Sequence, residues 1–169
     1  MRNLLLVLAS VLLLLSGCTS GPSVPEDLGR ALIAVWESGA VEDLDEIIAI
    51  DSAYEAAQQG YVYEGIDAIK GYVGHVRMFA SDLRVEVLSV NSTKTTAVLE
   101  WEMTGVQTQP IPGRVVVATN RNFSIKGVTL VEVEGGLIKT ATDYMDVLGF
   151  VIQLGARVEL PGGVVLGGG

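Results

Sequence analysis

The sequence holds one cysteine, one histidine and five prolines in 169 residues, and its 11 Lys and Arg are outnumbered by 20 Asp and Glu. Each shortage excludes something. A single thiol, Cys18, cannot close an internal disulfide, so packing alone must stabilise the fold. One histidine, His75, together with scattered acids supplies no zinc-type ligand set, and no metal or other cofactor is expected. No glycine-rich phosphate loop follows a strand, and no serine or cysteine nucleophile has a credible base beside it. The formal charge of −9 argues against nucleic acid as a partner. The acids are scattered rather than blocked, which reads as a solvated surface.

The chain opens MRNLLLVLASVLLLLSGCTS. Arg2 gives a short positive start, Leu4 to Leu15 form an apolar run, and small residues follow. That is the pattern of a secretory signal, and the run is short for a membrane span. Leu15-Ser16-Gly17-Cys18 looks like a bacterial lipobox, in which Cys18 takes lipid and becomes the mature N-terminus. Removing 1–17 would leave 10 Lys and Arg against 20 Asp and Glu. The expected organisation is a lipoprotein signal peptide over 1–17, a tether over 18–25, one folded domain over 26–160 and a flexible glycine-rich tail over 161–169. The expected location is the cell envelope, with the protein held on a membrane by lipid on Cys18, in the outer membrane where the cell has one.

Leu28, Leu32 and Val35 recur at helical spacing, as do Val41, Leu44, Ile47 and Ile48 after the break at Ser38-Gly39. Ile66, Ile69, Val73, Val76 and Phe79 predict a third helix. After Asp82 the period changes to two. The stretches LRVEVLSV, TTAVLEWEMTG, RVVVATN, GVTLVEVE and LIKTATDYMD read as strands, followed by a short helix over Val147 to Leu154. In the second of these strands Ala97, Leu99, Trp101 and Met103 share the inward face. Helices followed by strands make an α+β domain. The expected form is a cone: a strongly curved antiparallel sheet whose N-terminal helices cover a pocket.

The segment TATDYMDVLGFVIQLG carries two acids, Asp143 and Asp146. Residues three apart in a strand face opposite ways, so both cannot enter one pocket. Asp146 stands where a helix beginning at Val147 needs an N-cap. Asp143 shares a face with Ala141 and Met145 and is the candidate pocket acid; the alternative is a structural acid bonded to a backbone amide or to Arg77, Arg84 or Arg121. His75 reads as a partly buried or surface histidine, and Tyr54, Tyr61 and Tyr63 read as packing at a pocket rim.

YEGIDAIKGYV before ASDLRVEVLSV, then LEWEMTG, then FSIKGVTLVEVEGGLIKTATDYMDVLGFVIQLG together resemble the SnoaL-like polyketide cyclase family of the nuclear-transport-factor-2-like superfamily. The resemblance implies the cone fold and a homodimer. It also implies ring closure by an aldol step with a pocket carboxylate as acid and base, which falls here on Asp143. Gln107 stands where the family often has a histidine. Two functional readings follow. One is a lipid-anchored envelope protein that binds a small hydrophobic molecule, or an envelope partner, without turnover. The other is a cyclase- or isomerase-type enzyme using Asp143 on a carbonyl substrate. In both, Trp101, Met103 and Met145 line the ligand pocket.

Overall fold

A computed structural model describes residues 24–168. The chain runs α1 (Pro25–Ser38), a 3-10 turn (Val41–Glu46), β1 (Ile48–Ala56), a 3-10 turn (Ala57–Gln59), β2 (Tyr61–Glu64), α2 (Ile66–Met78), β3 (Ala80–Ser92) and β4 (Thr96–Gln107). It continues through β5 (Asn122–Glu134), β6 (Leu137–Met145), α3 (Val147–Gln153), β7 (Arg157–Glu159) and β8 (Val165–Gly167).

Helix α1 starts at a proline whose fixed φ suits the first turn, with Glu26 and Asp27 placed favourably at its positive end. Leu28, Leu32, Val35 and Trp36 form its buried stripe, and Gly39 ends it with φ 74°. The stripe lies across β3, β4 and β5, while α2 packs on β1 and α3 on β5. The side chains that meet it from β4, Ala97, Leu99, Trp101 and Met103, are all buried, as strand parity requires.

Six strands form one sheet in the order β2-β1-β6-β5-β4-β3. The expected strongly curved antiparallel cone is corrected here on two counts. The sheet is open, with β2 and β3 as its edges, and it is mixed: β1 runs parallel to β6 while its other pairings are antiparallel. Both involve β1, a strand that the sequence pattern concealed. Chain from Ile48 to Ala56 is strand rather than helix and loop, with Ile48, Ser52, Tyr54 and Ala56 buried. From β2 the chain crosses through α2 to the opposite edge, β3, so the two edges never meet. The α+β class itself holds.

Two other segments differ from expectation. RVVVATN, residues 114–120, is a loop with a single bridge between Ile111 and Val115, and it leaves Val116 and Val117 exposed. Residues 165–167 of the glycine-rich C-terminal stretch pair with 157–159 as a small separate hairpin.

Candidate active site

Strand β6 sends Ala141 and Asp143 to the inner face, with Asp143 only 1% exposed. Its neighbours are fixed by register: Thr129 lies opposite it on β5, and Ala56, two residues beyond Tyr54, lies opposite it on β1. The Thr129 hydroxyl donates to Asp143 Oδ1 at 2.6 Å, and the Tyr54 hydroxyl donates to Oδ2. Behind Thr129 stands Trp101, whose Nε1 donates to the threonine oxygen at 2.9 Å. The carboxylate therefore receives one hydrogen bond on each oxygen, and one of its donors is itself oriented by the indole.

Burial pushes the Asp143 carboxyl up to about 7, against the opposing pull of the Thr129 and Tyr54 hydrogen bonds. Burial, then the neighbouring charge of Asp143, pushes the Tyr54 hydroxyl well above its ordinary range, so it stays a donor. A carboxyl poised near neutrality can both take and return a proton. Two of the expected alternative partners are engaged elsewhere: Arg77 donates to the Ala80 carbonyl, and Arg84 pairs with Glu37.

Asp143 borders a cavity of about 250 Å³. Trp101, Met103 and Met145 line the same space, so the structure brings all four pocket candidates together. Phe79, Ile125 and Phe150 continue the apolar wall. Trp36 meets Trp101 edge to face at 5.3 Å. Space for the Trp101 ring comes from Gly127, its cross-strand partner on β5, where any Cβ would collide with the indole. His75 also borders the cavity, from α2.

Tyr54 and Thr129 are the site residues that sequence reasoning missed. Tyr54 is no rim residue; it is buried at the base of an aromatic series in which Tyr72 tilts against it and Tyr63 stacks on Tyr72 at 4.5 Å. The period-two spacing of Ser52, Tyr54 and Ala56 was the available signal. Gln107 is fully buried but does not border the cavity. Its amide binds the loop that follows β4: Nε2 donates to the Gln109 and Val117 carbonyls, and Oε1 accepts from the Thr119 amide and hydroxyl. That loop carries Ile111, Pro112 and Arg114 to the cavity mouth. Asp146 caps α3 by accepting from the Gly149 amide at 2.8 Å.

The fold and site define a small α+β pocket protein with a buried, nearly neutral carboxyl group. The chain belongs to the SnoaL-like polyketide cyclase family, which matches residues 26–154. Among solved structures it is similar to TsrD of Streptomyces laurentii, at 25% identity over 78% of this chain and 94% of that one, with a TM-score of 0.69. It is also similar to IdmH of Streptomyces antibioticus, provisionally described as a polyketide cyclase (22% identity, 78% and 99% covered, TM-score 0.66). A third is a protein of ketosteroid isomerase-like fold from Catenulispora acidiphila, solved with trimethylamine (20% identity, 78% and 94% covered, TM-score 0.62). No curated protein matches the chain.

These relatives correct the expected lipid-anchored envelope role, its outer-membrane location and membrane attachment through Cys18. The family is described as polyketide cyclase-like and IdmH provisionally as a polyketide cyclase, neither as an envelope lipoprotein. Among the described residues no helix is long and apolar enough to cross a membrane. Cys18 and the signal-like segment lie outside the described residues.

Proposed function

We propose that the protein is an enzyme of the cyclase or isomerase type, acting on a hydrophobic carbonyl compound with Asp143 as general acid and base. The observation that carries this reading is the Asp143 carboxyl itself, buried on a cavity wall, held by two hydroxyl donors and poised at about 7. A purely structural acid has no need of a cavity beside it.

The step runs as follows. Asp143 as carboxylate removes a proton from the carbon next to the substrate carbonyl, leaving an enolate and a protonated Asp143. In ring closure the enolate carbon forms a bond to a second carbonyl of the same molecule. The resulting alkoxide takes the proton back from Asp143, giving a hydroxyketone and regenerating the carboxylate. In isomerisation the proton returns instead to another carbon of the conjugated enolate. Thr129 and Tyr54 keep the carboxylate oriented, and the wall of Trp101, Met103 and Met145 excludes water from it.

Hydrogen–deuterium exchange next to the carbonyl of 2-tetralone, a bicyclic ketone suited to the cavity, tests the proton transfer. NMR in deuterated buffer should show exchange catalysed by the protein and lost in Asp143→Asn. Equal exchange by the variant would sink the reading.

A further inference from the structure

Polar groups other than Asp143 also border the cavity. The wall formed by Val76, Phe79, Met103, Ile125 and Phe150 offers no charge and no strong hydrogen-bonding group. Gln58, Tyr63, Tyr72 and Arg114 border the same space, and the last three act on one another electrostatically. Both amide atoms of Gln58 are buried without a hydrogen bond of full geometry, although the amide is near enough to the Tyr72 hydroxyl to draw its pKa down. A buried amide left in this condition costs on the order of 1–3 kcal/mol unless something else bonds to it. Trp36, also on the cavity wall, has a buried Nε1 without a protein partner.

Arg114 adds charge to this group. It is the one permanent cation bordering the cavity, and among the described residues it pairs with no acid. Its positive charge reaches the Tyr63 and Tyr72 hydroxyls, lowering the pKa of each against the larger upward push of burial. Although exposed, Arg114 is not on a loose segment. The Ile111–Val115 bridge closes the turn that bears it, the Gln107 amide ties the loop at 109, 117 and 119, and the Thr108 and Gln109 amides both donate to the Phe79 carbonyl. An arginine on a backbone held this way loses less freedom on binding than one on a free loop.

We infer that the cavity selects a ligand with an apolar ring body and one anionic oxygen, a carboxylate or an enolate, which Arg114 and the buried Gln58 amide receive while the body lies against the phenylalanine wall. Arg114 and Gln58 are then specificity-determining residues. This rests on the reading of the cavity as the reaction site. It adds a direction to it: the anionic oxygen is placed beside Gln58, Tyr72 and Arg114, and because the charge of Asp143 also reaches Tyr72, that oxygen lies within the field of the carboxyl.

Two probes of one size test the inference, 2-naphthoate and its neutral counterpart 2-naphthamide, titrated by calorimetry into the full protein at about pH 8, where the acid is ionised. Naphthoate should bind about tenfold more tightly than naphthamide, as a charge-assisted contact requires. Arg114→Gln should bring the two within about twofold of one another while leaving naphthamide binding unchanged, and Gln58→Glu should favour the amide. Added salt should weaken the naphthoate complex alone. Equal binding of the two probes, equal weakening of both by Arg114→Gln, or no binding of either would overturn the inference. Asp143→Asn separates it from the catalytic reading. That variant should keep or strengthen the preference for naphthoate, and unchanged ketone exchange in it would defeat the catalytic reading while leaving the anion site standing.

Discussion

Asp143 and Asp146 are three residues apart on one continuous stretch of chain, and their surroundings have little in common. Asp143 is buried, bonded to two hydroxyls and pushed up to about 7. Asp146 is exposed to water and holds the first turn of α3 through the Gly149 amide. The same side chain is a buried, doubly hydrogen-bonded carboxyl in one place and a backbone cap in the other. What separates them is the alternation of a strand: an odd number of residues turns the second acid to the opposite side, and the strand ends there. Chemical type alone therefore says little about role; position on a pleated surface says much more.

Breaking the inner half of the comparison should give the largest effect. Asp143→Asn should lower ketone exchange by about a hundredfold to ten-thousandfold, the usual contribution of a positioned acid–base group, and Asp146→Asn should leave it within about twofold. Asp143 should also make stability depend on pH. The folded state holds the Asp143 proton up to about 7, whereas the unfolded chain releases it near 3.8. The stability this group supplies is thus full below about pH 4, declines as pH rises and is gone above about 7, a change on the order of 4 kcal/mol. Thermal melts should show that slope in the native protein and a flatter one in Asp143→Asn.

A smaller change sharpens the contrast by leaving Asp143 in place. Tyr54→Phe removes a hydrogen bond that favours the charged carboxylate, so the acid limb of the exchange profile should move above pH 7. A shift downward, or none, would mean that Tyr54 does not support the carboxylate. Smallest is the outer acid's own role. Asp146→Ala should cost about 1 kcal/mol in denaturant melts through loss of the α3 cap, with the exchange rate retained.

Much of this was legible because it depends on short-range pattern. The stripe of α1, the alternation through β3 to β6 and the cap at Asp146 are local, and strand parity alone turned Asp143 inward beside Ala141. What stayed hidden depends on distance along the chain. Tyr54 reaches Asp143 across 89 positions, from a strand whose Asp51, Ser52 and small alanines make it look like a helix end and a loop. Conversely, three consecutive valines imitate a strand at 115–117, yet the loop is held by Gln107 and Val116 and Val117 face water. Openness of the sheet could not be read either, because it follows from β1 entering parallel to β6. The apolar leader and the cysteine behind it invited an envelope role that the family and its relatives do not support.

One residue without a side chain ties these parts together. Gly127 lets the Trp101 ring lie over β5, and Trp101 in turn holds the Thr129 hydroxyl that donates to Asp143. A methyl group at that position would meet both the ring and the Tyr144 carbonyl, so the indole would have to shift into the cavity. The room left for a ligand and the strength of the acid are thereby coupled through a single atom that is not there. Among proteins that share this architecture, the residue at this place should act as a two-purpose dial, with bulk there marking a shallower chamber and a differently tuned carboxyl at once.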